Sequence, residues 1–387
     1  MTLIAHRRKI IDALTILALA VAAVALIAFP ADTVEAAKSG LVLCYNIIVP
    51  SLFPFFVLSS LVIETGVSRY LGRACERVMR PLFNVSGDCA AAFGLGFIGG
   101  YPVGAKTVIA LYESGACTKS EAERLLSFCN NSGPAFIFGV VGAGVFGSSK
   151  IALLLYLAHT AASIIVGIAF RGWGERGMPR TAIGSSAVAP RSAKTFPAAF
   201  SVSVASSFAS TLSICGFVIF FTVFIKLLFI SGAIPGLASH LGTALSPAGL
   251  TPQWAERLLI GLVELSSGVW TLRGAAGTIT GSVAMAAFML GWAGLSVHSQ
   301  VLSFIGESGL SVKTYLLGKL AQALISAALI FIMARFIPMS VPAVALAQQV
   351  TGYSGIKFTH AIAVSGLGSA ALCAGFFAIA HHVEKQD

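Results

Sequence analysis

The sequence predicts an all-α, polytopic membrane protein whose two halves are inverted repeats with re-entrant or broken helices. Of the 387 residues, 57% are hydrophobic and only 10% are charged, which is too little charge to cover a soluble surface. The formal charge of +10 comes from basic clusters between apolar runs, a pattern typical of cytoplasmic loops rather than of a nucleic-acid-binding surface. Glycines, prolines and polar residues interrupt apolar segments at matching places in both halves, which is typical of a transporter.

The amino-terminal unit, residues 1–40, combines three basic residues at 7–9 with an apolar run over 11–29. A signal peptide is the alternative interpretation. The run is longer than the hydrophobic region of a usual signal peptide and no small-residue cleavage site lies at its end, so an uncleaved transmembrane helix followed by a loop is favoured. The preceding cations place the amino terminus in the cytoplasm.

The first repeat, residues 41–170, begins with an apolar helix over 41–65, in which Pro50 and Pro54 predict a kink or a break. An arginine-rich amphipathic stretch over 69–80 follows and fits a helix on the cytoplasmic surface of the membrane. The apolar helix is therefore expected to run inward.

Three apolar segments lie between that stretch and the basic cytoplasmic linker at 171–198, namely 88–111, 125–147 and 150–170. Because the chain starts and ends this passage inside, it must cross the membrane an even number of times. One segment must turn back, and 88–111 is the best candidate, because the helix-breaking run Gly99-Gly100-Tyr101-Pro102 lies within it.

The second repeat, residues 199–336, follows the same order about 160 residues later, with its first helix running outward. It contains an apolar run at 199–230, an uncharged Gly/Pro-rich stretch at 231–253 expected outside, an interrupted segment at 261–270, an apolar run ending at 294–300, and a spanning helix at 314–336. The carboxy-terminal unit, residues 337–387, adds a loop, a helix over 360–380 and a cytoplasmic tail. The chain is thus expected to be a multi-pass protein of the bacterial inner membrane.

The interrupted segments predict a solute site near the membrane midplane, where the two repeats meet. The candidate substrate-binding residues are Gly100, Tyr101, Pro102, Lys106, Asn130, Asn131, Ser132, Glu264, Ser266, Ser267, Ser296, His298 and Gln300. Their exposed backbone donors and polar side chains suit a small polar solute. The alternative for 130–132 is that these residues only cap a broken helix, and a lone histidine such as His298 is more often structural.

Two charges within the interrupted segments are the hardest to explain by packing. An isolated charge at the centre of a membrane helix costs about 2.5–3.5 kcal/mol, so Lys106 and Glu264 are expected to face a common cavity, singly or as a pair. The alternative is that one or both extend to an interface. For Lys319 and His159, near the ends of matching helices, that interfacial position is the favoured one.

Several other functions are disfavoured by the pattern. Gly94-x-Gly96-x-x-Gly99 spells a dinucleotide-binding fingerprint, but it lies in a membrane-depth segment, where close packing of small residues explains it better. The seven cysteines form no CxxC pair, and no HExxH motif or Ser/His/acid set is evident, so neither a metal, a cofactor nor an enzymatic activity is expected. An intramembrane enzyme would need a nucleophile and a base that the spacing does not reveal.

Five stretches together resemble the sporulation integral membrane protein YlbJ family, which carries the nucleoside-recognition or Gate-type membrane domain. They are Ser51-Leu-Phe-Pro-Phe-Phe, Gly96 to Lys106, Asn130-Asn-Ser-Gly-Pro, Gly261 to Gly268, and Gly294 to Gln300, and they span most of 40–336. The resemblance implies two Gate-like repeats, an inner-membrane protein of endospore-forming bacteria and a role in spore formation. Ser266-Ser267 departs from the pattern, since pairs such as Thr-Asn or Thr-Gly are expected there.

The expected function is therefore a transporter or channel-like permease, with the lipid bilayer and an unknown small polar solute as partners and no nucleic acid. The rival is a non-transporting structural or regulatory protein of spore envelope assembly. That rival predicts a dry, fully packed centre in which Lys106 and Glu264 are locked together. The sequence indicates no particular oligomeric state or substrate.

Overall fold

The computed structural model describes residues 2–65, 77–113, 115–174 and 195–339, which are predominantly helical and contain no strand. The predicted helix over 360–380 lies outside the described residues, as do most of the basic linker and part of the amphipathic stretch at 69–80. The carboxy-terminal placement predicted above therefore stays a prediction.

The amino-terminal part contains α1 (Thr2–Ala28), α2 (Pro30–Leu43), a π-helical turn (Cys44–Ile48), α3 (Val49–Glu64) and the helical residues 77–83, here α4. The chain bends by 97° between α1 and α2. The loop expected before residue 41 is instead helix α2. Proline is tolerated in a first helical turn, so Pro30 begins this helix rather than breaking it. The Asp32 carboxylate, also in this turn, pairs with Lys226 at 3.1 Å.

The π-helical turn is the local irregularity that accompanies the two prolines of this region. It ends at Ile48, directly before the helix that contains Pro50 and Pro54. Because proline lacks an N–H donor and clashes with the preceding turn, a helix accommodates it by widening locally to the π-helical hydrogen-bond pattern. The irregularity thus lies where the sequence predicts a kink.

The rest of the first repeat consists of α5 (Ala90–Gly99), α6 (Val103–Glu113), α7 (Lys119–Phe128), a π-helix (Ala135–Val145) and α8 (Ser149–Ala169). Helices α5 and α6 form a hairpin that reverses at Gly100, whose φ of +73° suits glycine. The segment predicted to turn back therefore does so. Helix α7 starts with a capping box between Thr118 and Glu121.

The second repeat consists of α9 (Phe196–Ile230), α10 (Ala233–Ala244), a 3₁₀ turn (Ser246–Ala248), α11 (Pro252–Val263), α12 (Leu265–Trp270), α13 (Ile279–Trp292), α14 (Gly294–Ser308) and α15 (Val312–Ala334). The Gly/Pro-rich stretch 231–253, expected outside the membrane, contains helix α10 over about half of its length. Its Ile234 packs against Ile225 and Ile260, so one face of the helix is buried. Gly232 precedes this helix and Pro252 begins α11, so these residues mark helix ends.

The two repeats have the same order of elements. Each has a first helix (α3 or α9), a hairpin (α5–α6 or α11–α12), a broken helix (α7 with the π-helix, or α13–α14) and a closing helix (α8 or α15). The closing helices α8 and α15 pack against each other and against α13. By length and composition, α8, α9, α13–α14 and α15 are candidate membrane spans among the described residues, and the bent pair α1–α2 adds a fifth.

Candidate functional site

The α5–α6 hairpin has a glycine-lined groove that holds an unwound stretch of chain. Helix α7 ends at Phe128, and residues 129–133 are not helical. A Cβ on Gly96 or Gly104 would lie 1.9 or 2.0 Å from the Cys129 carbonyl oxygen. One on Gly100 would lie 2.8 Å from the Gly133 nitrogen. These glycines therefore allow backbone to pack on backbone, which supports the packing interpretation of Gly96 over the dinucleotide one.

Two distant helices supply the hydrogen-bond partners of the unwound stretch. The Ser132 N–H donates to His159 Nε2 on α8 at 3.0 Å, and Lys319 Nζ on α15 donates to the Asn130 carbonyl oxygen at 2.9 Å. The Asn131 amide donates to the Phe128 carbonyl at 2.8 Å and accepts from Gln322 Nε2 at 2.7 Å. A break at membrane depth leaves backbone groups that lipid cannot satisfy, so side chains of the neighbouring helices take that role.

The positions of His159 and Lys319 correct the sequence-based expectation. Both were expected to extend to a membrane interface, but each is 0% exposed and lies at the break in α7. A close approach permits this contact, since a Cβ on Gly318 would lie 2.3 Å from the Ser127 carbonyl oxygen. Gln322, one turn after Lys319, was not predicted at all. A signal was available in the sequence: His159 and Lys319 lie 160 residues apart, at the same point of the two closing helices, and Gln322 lies on the same face as Lys319.

In the second repeat, the break between α11 and α12 is formed by Glu264. This residue is 1% exposed and extended, with φ −141° and ψ 121°. Its carboxylate accepts hydrogen bonds from the backbone N–H groups of Ser266 at 2.9 Å and Ser267 at 2.6 Å. The carboxylate thus caps α12, and the positive end of that helix compensates its charge.

Lys106 does not pair with Glu264, although the sequence suggested that the two face a common cavity. The Lys106 side chain is exposed, and its Nζ lies 5.2 Å from the centroid of the Phe304 ring. Because Glu264 is already satisfied by backbone donors of its own helix, it needs no lysine partner. The Lys106 side chain therefore lies at the protein surface, as in the alternative interpretation that it extends to a membrane interface.

The second broken helix is interrupted at Ala293 and Gly294, with φ values of +79° and +80°. Beyond it, His298 Nδ1 lies 2.9 Å from the Tyr315 hydroxyl, and its ring meets that of Trp292 edge-on at 4.4 Å. His298 is therefore held among aromatic side chains, which agrees with the structural role considered for it.

The breaks of both repeats meet at one pocket with a cavity volume of about 50 Å³. Seven of the predicted site residues line it, namely Gly100, Tyr101, Ser132, Glu264, Ser266, Ser296 and Gln300. Apolar side chains complete the wall, among them Leu52, Phe136, Ile214 and Val218. The other six predicted residues, Pro102, Lys106, Asn130, Asn131, Ser267 and His298, are not in its lining. The sequence did not predict the apolar wall from α3 and α9.

Two polar groups at the first break have unused hydrogen-bonding capacity. The Ser132 hydroxyl and both amide atoms of Asn130 are buried without a hydrogen-bond partner. The Ser132 hydroxyl lies near that of Tyr101, which itself donates to the Leu290 carbonyl. Ser132 is also one of the residues that line the pocket.

Known proteins resemble this chain in sequence and in fold. Residues 47–217 match the Gate family, described as nucleoside recognition. The solved structure of CNTnw in an inward-facing substrate-bound state superimposes with a TM-score of 0.51 at 15% identity, covering 74% of this chain and 75% of that one. A second structure, of a doubly substituted CNTnw in an outward-facing state, gives a TM-score of 0.47 at 13% identity, covering 86% and 87%.

The first of these similarities confirms the predicted fold class, an all-α polytopic membrane protein built from Gate-like repeats. The sequence is 31% identical over 327 residues to the sporulation integral membrane protein YlbJ of Bacillus subtilis (strain 168), covering 81% of this chain and 80% of YlbJ. The chain therefore belongs to the YlbJ family of sporulation integral membrane proteins.

Proposed function

We propose that this protein is a permease for a small polar solute in the bacterial inner membrane, acting in endospore formation with both termini in the cytoplasm. The observation that carries the proposal is the pocket into which the broken segments of both repeats bring polar groups. Binding sites of transporters built from inverted repeats lie at such meeting points of interrupted helices. The sporulation role rests on the membership of the YlbJ family.

The lining of the pocket indicates what kind of solute it takes. The lining combines polar residues, among them Ser132, Gln300 and Glu264, with apolar side chains such as Phe136 and Ile214. A few placed polar groups against an apolar wall suit a solute with hydroxyl or amine groups on a flat or apolar body. Nucleosides have this character, so they are the first probes to use.

The breaks also supply the mechanism of the proposed transport. Both hairpins and both broken helices end at the pocket, so a movement of one repeat against the other opens it to either side. Glu264 and Ser132 then hold the solute while the closing helices α8 and α15 remain packed. Transport of this kind involves no chemical step, and the matched relatives are sporulation or transporter-like membrane proteins rather than enzymes.

Solute flux in proteoliposomes tests the proposal. Uptake and efflux are measured for nucleosides, sugars, amino acids and small carboxylates with the wild type, Ser132→Ala and Gln300→Ala. Ser303→Ala is the matched control, because Ser303 lies on the same helix as Gln300 but is exposed. We expect flux of at least one solute, reduced by about tenfold or more for each lost hydrogen bond of about 1.5 kcal/mol, with the control unchanged. Absence of flux for every solute favours the structural role instead.

A further inference from the structure

A buried lysine lies at the break of α7 and is surrounded by neutral oxygen atoms and an aromatic face. Lys319 is 0% exposed. Its ammonium donates to the Asn130 carbonyl at 2.9 Å and to Gln322 Oε1 at 2.7 Å, and it lies 5.3 Å from the centroid of the Tyr101 ring. A buried charge requires compensation, and here it comes from dipoles and a π system.

No carboxylate balances this ammonium among the described side chains. Glu264 is the only acidic residue in that set that is fully buried, and its two oxygen atoms are engaged by the amino end of α12. The favourable field at Lys319 comes from the carboxy-terminal end of α7, where the unwound carbonyls carry the negative end of the helix dipole. Lys319 is thus a cation held at a broken helix by main-chain and amide oxygens.

The two atoms that accept hydrogen bonds from the ammonium, the Asn130 carbonyl oxygen and Gln322 Oε1, are of the type that also binds metal cations. Unwound backbone carbonyls and half-helix carboxy-terminal ends coordinate Na⁺ in transporters with broken helices, and hard cations prefer oxygen ligands. We propose that the Lys319 ammonium is a tethered cation that occupies a monovalent cation site at the break of α7, so that the protein needs no Na⁺ there. The ammonium satisfies the same oxygens without leaving during a transport cycle.

The asymmetry between the repeats agrees with this role. His159 holds the matching position on α8, but its Nε2 accepts a hydrogen bond from the Ser132 N–H, and an imidazolium has no acceptor nitrogen. His159 is therefore neutral in this arrangement and supports a donor of the unwound stretch, whereas Lys319 supports an acceptor. The positive charge is supplied by one closing helix only.

The first arm of the test uses the wild-type protein in detergent. Its melting temperature is measured in NaCl, KCl and choline chloride at equal ionic strength. We expect no specific effect of Na⁺, because the site is already filled. A rise with Na⁺ that is absent with choline and saturates with concentration would mean that a metal ion binds beside Lys319, and would overturn the proposal. This arm involves no solute flux, so its outcome is independent of the proposed permease function.

The second arm empties the site. Lys319→Ala is expected to melt lower than the wild type, and Na⁺ or ethylammonium, but not choline, should restore it by an amount on the order of 2–4 °C at concentrations well above the dissociation constant. Lys319→Met should also melt lower but gain nothing from either cation, because its side chain fills the space. Lys150→Ala is the control, since Lys150 is an exposed lysine on α8.

Two results of the second arm contradict the proposal. One is a Lys319→Met protein with the melting temperature of the wild type, because the charge of Lys319 would then contribute nothing to stability at the break. The other is a Lys319→Ala protein that folds but responds equally to ethylammonium, Na⁺ and choline. If Lys319→Ala does not accumulate, the wild-type arm and Lys319→Met still decide the question.

Discussion

Replacing Gly104 by alanine tests the packing of the unwound stretch against the α5–α6 hairpin. The added Cβ would lie 2.0 Å from the Cys129 carbonyl oxygen, 2.8 Å from its carbon and 3.1 Å from the Asn130 Cα. All three neighbours are backbone atoms, so no flexible side chain can yield. Reaching an ordinary contact distance of about 3.4 Å requires the chain at 129–130 to move by about 1.4 Å.

That displacement reaches the buried polar contacts of the break. The Asn130 carbonyl would move relative to Lys319 Nζ, which is 2.9 Å away and held by its own helix. Overpacking costs about 1–3 kcal/mol and loss of a hydrogen bond to a charged group about 1.5–3 kcal/mol, so the expected destabilisation is about 3–5 kcal/mol. At about 2–4 °C per kcal/mol, the melting temperature should fall by about 6 °C or more.

The assay is thermal unfolding of the detergent-solubilised protein, with Gly216→Ala as the matched control. Gly216 is also a helical glycine of the membrane domain, but it is exposed, and a Cβ added there would meet no atom within 4 Å. The control should leave the melting temperature unchanged or slightly raised. If Gly104→Ala has the same melting temperature as Gly216→Ala, the unwound stretch does not pack in the glycine groove and the geometry of the site is wrong.

Three further substitutions separate the roles of the polar residues, each read as a melting temperature. Glu264→Ala removes the cap of α12 and should cost about 1–2 kcal/mol, while Glu264→Gln, which keeps an acceptor, should cost less; equal losses would contradict the capping role. Gln322→Leu removes one of the two acceptors of the Lys319 ammonium and the donor to Asn131 Oδ1, and should cost about 2–6 kcal/mol, so a near-neutral result would argue against the network. Lys106→Glu should change neither the melting temperature nor solute flux appreciably, because the side chain is exposed; a large loss of either would restore Lys106 to the site.

The elements that the sequence predicts well are those set by local chemistry and topology. The basic loops demand an even number of crossings, and the glycines near Gly100 identify which segment turns back. The correspondence of the two repeats is visible from the spacing of their interruptions. The same glycines also explain the groove, although only the structure shows that an unwound stretch of chain fills it.

The residues that were misplaced depend on partners far away in sequence. A lysine on an apolar helix looks the same whether it extends to an interface or is buried, and Lys319 is buried because the break 189 residues earlier offers it a carbonyl. Lys106 and Glu264 looked like a pair because each is a lone charge, but Glu264 is satisfied within three residues of itself. Gly232 and Pro252, in the stretch expected outside the membrane, mark the starts of helices α10 and α11.

Water access to Gln300 tests the central claim, that the breaks of the two repeats enclose a solute site, without knowledge of the solute. In a background with the native cysteines replaced by alanine, Gln300→Cys is treated in proteoliposomes with a small charged thiol reagent, and Ile137→Cys serves as a fully buried reference. We predict rapid modification at 300 and none at 137, because only Gln300 lines the pocket. Equal resistance at both positions would indicate a dry, packed centre and contradict a permease.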